Sequence, residues 1–338
     1  MSKNTSANYG FRYECLLYIP VLLGTIIGIP GNVLTIRFYG RRIKGAMTST
    51  AVFLTSLAVF DMLSLLTNIP STAIAIPMSY VDGWKDYAGS SIEIYVMRIP
   101  RYWSNMTLFL IGIERVISVV LPHKMHGIFT RRVGVVSVVI VVLLGPVILF
   151  PLAIEPPLTV VPTNGTVTHV IRMPHTLFEP DLDNALVVMV SLCYFGIPIF
   201  GVLISNTCLM IALIKRYKSK HANNVRNEMS PSQVKELRTT KLVMVVTVIF
   251  IVCVFPLVII YPIISGTGEA VPITLMLIIP PVSSLLETLN YSMNFFVYYI
   301  GSANFRTETR ATFSRLLCCF KPTEVAPADT SRIVASKV

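Results

Sequence analysis

The chain has 338 residues, of which 54% are hydrophobic and 13% charged. A soluble domain carries roughly 25% charge, so a composition this apolar excludes a fold built around one water-soluble core and points to the bilayer as solvent. The net charge of +11 does not mark a nucleic-acid binder, because its basic clusters alternate with apolar segments along the chain.

Residues 1–15 are polar, and no short apolar core with a small-residue cleavage site follows them. They read as an extracellular N-terminal segment rather than a cleaved leader. Seven segments then reach the about 20 apolar residues that cross a bilayer: 16–39, 50–76, 92–121, 133–154, 184–214, 242–264 and 273–300. The fourth is almost unbroken (VVSVVIVVLLGPVILFPLAI), whereas the third holds Glu93, Arg98, Arg101, Glu114 and Arg115. Bases follow spans one (Arg37, Arg41, Arg42, Lys44), three (Lys124, Arg131, Arg132) and five (Lys215, Arg216, Lys218, Lys220, Arg226, Lys235, Arg238, Lys241), and return in the tail (Arg306, Arg310, Arg315, Lys321). The intervening loops carry Asp82 and Asp86, then Glu155, Glu179, Asp181 and Asp183, then Glu269. Because basic loops stay in the cytoplasm, the N-terminus is expected outside and the C-terminus inside. The fold class is therefore an all-α membrane protein, a seven-transmembrane helix bundle over 16–300.

The longest outer loop, 155–183, contains TVVPTNGTVTHVI, in which alternating residues flank an Asn164-Gly165 turn and predict a hairpin. Pro231 is placed to start the helix that carries span six. Residues 303–319 space Phe305, Phe313, Leu316 and Leu317 among charges, as a short amphipathic helix on the inner membrane surface would. Its terminal Cys318 and Cys319 are palmitoylation candidates, and 320–338 reads as a disordered cytoplasmic tail. Asn4 and Asn164 head glycosylation sequons on the expected outer side, while the sequons at Asn105 and Asn290 fall inside spans. Of the six cysteines only Cys15 lies near the outer surface, so no disulfide between outer loops is expected.

An ionisable residue inside a span is expensive and reads as functional by default. Asp61 lies mid-span, with Asn32, Ser104, Asn290 and Asn294 at comparable depth on spans one, three and seven. Such a group could hold a small hard cation with water, or keep a neutral aspartate in a packing network. Glu114 and Arg115 come near the inner end of span three, and Arg115 has more donors than one neighbour satisfies. Glu236, at the start of span six, is the second expected partner; the alternative is a static anchor for span three. In the outer half of span three, Arg98 and Arg101 share a face, with Tyr102 nearby and Glu287 of span seven as counter-charge. Two arginines and one acid leave a place for a carboxylate, phosphate or other electron-rich ligand group; the alternative is an internal salt bridge plus one snorkelling arginine. Prolines 100, 146, 151, 198, 256 and 262 interrupt spans and favour kinks. The sequence contains no HExxH, GxSxG, Walker loop or paired-cysteine metal site, and no catalytic residue is assigned.

Taken in order, GIPGN with Asn32, LAVFD with Asp61, Asp82-Gly83-Trp84, Glu114-Arg115-Val116, Pro198, CVFP at 253–256, NYSMNFFVY with Asn294 and Tyr298, and Phe305-Arg306 resemble the rhodopsin-like (class A) G-protein-coupled receptors over about 16–319. The resemblance implies that Arg115 is restrained by Glu114 and Glu236 at rest and then faces a heterotrimeric G protein, with Tyr298 swinging inward. It implies a sodium pocket at Asp61, Ser104, Asn290 and Asn294, and no other cofactor. It places the ligand near Arg98, Arg101, Tyr261 and Glu287, beneath the outer hairpin, in a receptor at the plasma membrane.

Four departures stand out. Ser90 is about where the family's outer cysteine belongs, Val254 replaces the tryptophan of span six, Phe295 replaces the proline of span seven, and Asn206 replaces the tyrosine of span five. No acid sits mid-span-three as in amine receptors, and span seven offers no lysine for retinal. A peptide, of neuropeptide type, is the expected ligand, with a lipid, another anionic small molecule or a chemosensory ligand as alternatives. A transporter would more often show an internal repeat, and a membrane scaffold would need neither Arg115 nor Glu236.

Overall fold

A computed structural model describes residues 3–43, 49–78, 91–153, 158–163, 166–172, 180–222, 231–265 and 271–319. Long helices dominate it: α1 (Lys3–Ile43), α2 (Thr50–Met78), α3 (Ser91–Val120), the short α4 (Pro122–Ile128), α5 (Arg131–Ala153), α6 (Pro180–Ser191), α7 (Ile197–Ala222), α8 (Pro231–Ser265), α9 (Ile273–Gly301) and α10 (Ala303–Cys319). Helices are what a bilayer demands, because a lipid-exposed backbone must satisfy its hydrogen bonds within the segment.

Among the described residues, six stretches are long and apolar enough to cross a membrane: Tyr18–Ile43, Thr50–Ile69, Tyr95–Val120, Arg131–Ala153, Val188–Lys215 and Arg238–Val258. They overlap the first six expected segments. The seventh segment forms α9, which packs on α1, α2 and α8 but carries Glu287, Thr288, Asn290, Ser292 and Asn294 along its length.

Large apolar side chains on α5 point outward, among them Val139, Leu143 and Val147. Its buried positions Gly134, Val141, Gly145, Leu149 and Leu152 recur at helical spacing and make one narrow seam against the bundle. At Gly145 a β-carbon would stand 2.5 Å from the indole Nε1 of Trp103 on α3. On α1 the small residues also set the packing distance, for a β-carbon on Gly28 would lie 2.4 Å from Ser292 Oγ of α9.

Three local features differ from, or refine, the sequence expectation. The N-terminal segment expected to be separate is continuous with span one in α1; Pro20 is the first proline in the chain, so nothing in residues 3–19 forces the helix to stop. The fifth span is composite: α6 and α7 are joined by a π-helical stretch, Leu192–Gly196, in which the Ile197 N–H donates to the Leu192 carbonyl. The wide turn immediately precedes Pro198, which has no N–H of its own to give. The hairpin forms as expected, with β1 (Leu158–Thr163) antiparallel to β2 (Thr166–Arg172) and Thr163 opposite Thr166. Its register shifts between Val161 and Pro162, where proline removes a ladder donor. A third strand, β3 (Val271–Pro272), was not anticipated; it pairs with β2 through His169 and Val170 and leads directly into α9. The hairpin is thereby joined to the start of α9.

The turn at Asn164-Gly165, the Asp82-Gly83-Trp84 motif, Ser90 and the tail 320–338 lie outside the described residues, as do the side chains of Asn4, Cys318 and Cys319.

Candidate functional site

Three polar layers run through the centre of the bundle. Helices α2, α3 and α9 each contribute to the upper two. Arg101 and Ser104 are three apart on α3, Asn68 and Asp61 seven apart on α2, and Glu287 and Asn294 seven apart on α9. Each spacing returns to the same helix face after whole turns, so the same faces build both layers.

In the outer layer Arg101 and Glu287 are 5% and 4% exposed. Arg101 Nη1 donates to Glu287 Oε2 and Nη2 donates to Asn68 Oδ1 at 2.8 Å. Asn68 Nδ2 in turn donates to Thr288 Oγ1 at 2.9 Å. Arg98, one turn outward and with 24% of its side chain exposed, brings Nη1 to 3.8 Å from Glu287 Oε1. Its guanidinium also lies 5.3 Å from the Tyr194 ring centre, within cation–π range. The structure therefore brings together three of the four predicted ligand-site residues. It adds Asn68, Thr288 and Tyr194, which sequence reasoning passed over. Asn68 was detectable as an amide two turns from Asp61; Tyr194 carries no sequence signal, since an aromatic in a span is ordinarily lipid-facing or core. The side chains of Tyr261 and Glu93 lie outside the described residues.

In the middle layer Asp61 is fully buried. Ser104 Oγ donates to Asp61 Oδ1 at 2.5 Å and Asn294 Nδ2 to Oδ2 at 2.6 Å, so both carboxylate oxygens are engaged. Asn290 is buried one turn away on α9. Asn32 Nδ2 donates to the Tyr291 carbonyl at 3.0 Å and ties α1 to α9 beside this layer. Carboxylate, hydroxyl and amide oxygens are hard donors, and the set suits an ion such as sodium.

In the inner layer Glu114 is fully buried. Glu114 Oε1 accepts from Ser49 Oγ at 2.5 Å and from Thr50 Oγ1 at 2.9 Å, while Oε2 accepts from Arg115 Nη2 at 3.0 Å. Arg115 Nη2 also donates to Thr50 Oγ1 at 2.6 Å. The Ser49 N–H reaches the Phe129 carbonyl at 3.1 Å, beyond α4. Glu114 and Arg115, neighbours in the chain, are thus both held at the start of α2. The predicted second partner, Glu236, is on α8, but its side chain lies outside the described residues.

Tyr298 is buried between rings, 5.5 Å from Tyr39 and 6.1 Å from Phe305. Asn206 accepts from Thr247 Oγ1 at 2.8 Å, a link between α7 and α8. Val254 is buried in the main apolar cluster, and Phe295 packs at 5.7 Å from Phe305.

Comparison with known proteins agrees with this architecture. The family model of the 7 transmembrane receptor (rhodopsin family) matches residues 31–298. The chain is 25% identical over 299 residues to the FMRFamide receptor of Drosophila melanogaster, covering 83% of this chain and 50% of that protein. It is 24% identical over 318 residues to bombesin receptor subtype-3 of Ovis aries, covering 92% of this chain and 77% of the relative. The chain therefore spans about half the length of the Drosophila relative.

Proposed function

Since the chain belongs to the rhodopsin family of seven-transmembrane receptors, and is accordingly a multi-pass membrane receptor and not an enzyme, we propose that it is a G-protein-coupled receptor for an extracellular peptide. α9 is the seventh span in this reading, the N-terminus is outside, and α10 lies along the inner face of the plasma membrane. Asn4 and Asn164 are then available for glycosylation, and Cys318 and Cys319 for palmitoylation.

The observation that carries the reading is the inner layer. A fully buried Glu114 holds Arg115 beside Thr50, and an arginine fixed by several partners at the cytoplasmic end of a central helix is a two-state element. Leaving that site to meet a G protein exchanges the Thr50 and Glu114 contacts for new ones. Glu236 is the proposed further restraint. A ligand biases the equilibrium only by binding one state better than the other. Its proposed seat is the outer layer, at Arg98, Arg101, Tyr261 and Glu287. Asp61, Ser104, Asn290 and Asn294 are the proposed holders of an allosteric sodium ion, which would supply positive charge beside the Asp61 carboxylate. Tyr298, packed above Phe305, is the residue proposed to rearrange with them. The peptide assignment is supported by the names of the two relatives and by the three-stranded outer sheet that joins the hairpin to α9.

The test is G-protein activation in cells displaying this chain, challenged with a broad peptide collection in amidated and free-acid forms. Arg115→Ala, matched for surface display, is the control. A response to one peptide that disappears in the mutant is expected. Good surface display with no response to any peptide would count against the peptide assignment.

A further inference from the structure

Arginine has five N–H donors in a planar fork. Arg101 spends one on Glu287 and one on Asn68, and its Nε, within a residue only 5% exposed, meets no acceptor among the described residues. Burying a donor or a charge without a partner is costly. Glu287 adds to the imbalance, because the same carboxylate serves Arg101 through Oε2 and Arg98 through Oε1. Among the described residues, two guanidiniums thus converge on Glu287. Asp61, the next acid inward, has both oxygens occupied by Ser104 and Asn294. The Nε and Nη2 edge of a guanidinium is the side that takes a carboxylate in fork geometry.

From these observations we propose that Arg101 and Arg98 form an anion site in the outer layer, completed by a carboxylate group of the ligand or by a small anion such as chloride. The ligand source rests on the receptor reading above; the anion site itself does not. With an anion in place, the buried Arg101 Nε gains an acceptor, and Glu287 is no longer the shared counter-charge on which both arginines converge. Arg98, being the more exposed of the pair, is the first donor an entering carboxylate meets. Glu287 competes with that group, so its charge limits how tightly an anion is held. An activating peptide should accordingly present a free carboxylate, from an acidic side chain or its C-terminus, to this layer.

The test uses the purified full chain in lipid nanodiscs. Thermal unfolding is followed at constant ionic strength while sodium gluconate, whose anion is bulky, is replaced by sodium chloride or sodium acetate. The site predicts a saturable rise of the midpoint with at least one small anion, lost in Arg98→Gln. Arg98→Lys, which keeps the charge but not the fork, should weaken the response and covers the case in which Arg98→Gln fails to fold. Glu287→Gln removes the competing carboxylate and should lower the half-saturating concentration about tenfold. A response to acetate alone identifies a carboxylate-selective site, and hence the ligand as source; an equal response to chloride identifies a resident inorganic ion. No dependence on either anion, or a dependence that survives unchanged in Arg98→Gln and Glu287→Gln, overturns the proposal. G-protein turnover on the same preparations reports the receptor reading separately, since its absence leaves the anion result standing.

Discussion

Helices α3 and α5 pack against each other yet obey opposite rules. α5 has no charged residue after Arg132, and it meets the bundle through a seam of two glycines and three aliphatic residues while the rest of its surface faces outward. α3 carries Arg101, Ser104, Glu114 and Arg115 at 5% exposure or less, each with a partner on another helix or in the next residue. Lipid is as apolar as a leucine side chain, so α5 gains little from burying more of itself and is positioned by close approach alone. α3 is central because only the centre of the bundle supplies acceptors for its charges. A span's polarity says where it sits, whereas its partners say what it does.

The contrast can be broken most severely at α3. Arg101→Met leaves the Glu287 carboxylate buried without its main partner and should destabilise by about 3–5 kcal/mol. Arg101→Met with Glu287→Met should recover most of that loss, as read by thermal unfolding of the solubilised protein. At the contact between the two helices, Gly145→Leu forces a side chain into Trp103, with an expected cost of about 1–3 kcal/mol that Trp103→Ala relieves in the double variant. A bond away from both helices makes a milder probe: Thr247→Val removes the hydroxyl that Asn206 accepts from and should cost about 1 kcal/mol, again as a lowered unfolding midpoint. The smallest effect belongs to the outward face of α5, where Leu143→Ala should change stability by no more than about 0.5 kcal/mol. A large loss at Leu143 would mean that this face is covered by another protein rather than by lipid.

Much of the site was legible before any fold was known, for one physical reason: a charge or amide within a greasy helix is conspicuous. Asp61, Glu114, Arg115, Arg101 and Glu287 were all visible in this way, and the Arg101–Glu287 pairing followed from opposite sign at similar depth. The departures were less legible in their consequences. Asn206, which stands in place of the family's span-five tyrosine, accepts from Thr247, and Tyr298 packs against Tyr39 and Phe305. Trp103 and Gly145 form a complementary pair that neither helix's pattern discloses, since the fit depends on which faces meet. The hairpin was readable from its alternation and Asn-Gly turn, but β3 was not, because two residues, Val271 and Pro272, are too few to show a period.

Length, hydropathy and charge alone carry the order of apolar segments, the alternation of basic and acidic loops between them, and the polar residues that fall within them; these are one-dimensional properties. Only the tertiary structure decided that Asn68 completes the outer layer, that Ser49 and Thr50 hold Glu114, that Asp61 takes Ser104 and Asn294, and that the hairpin is tied to α9. Each of these depends on distant elements meeting at one depth, and side-chain hydrogen bonds between residues 33 to 233 positions apart are set by packing, which the local pattern of neither partner contains.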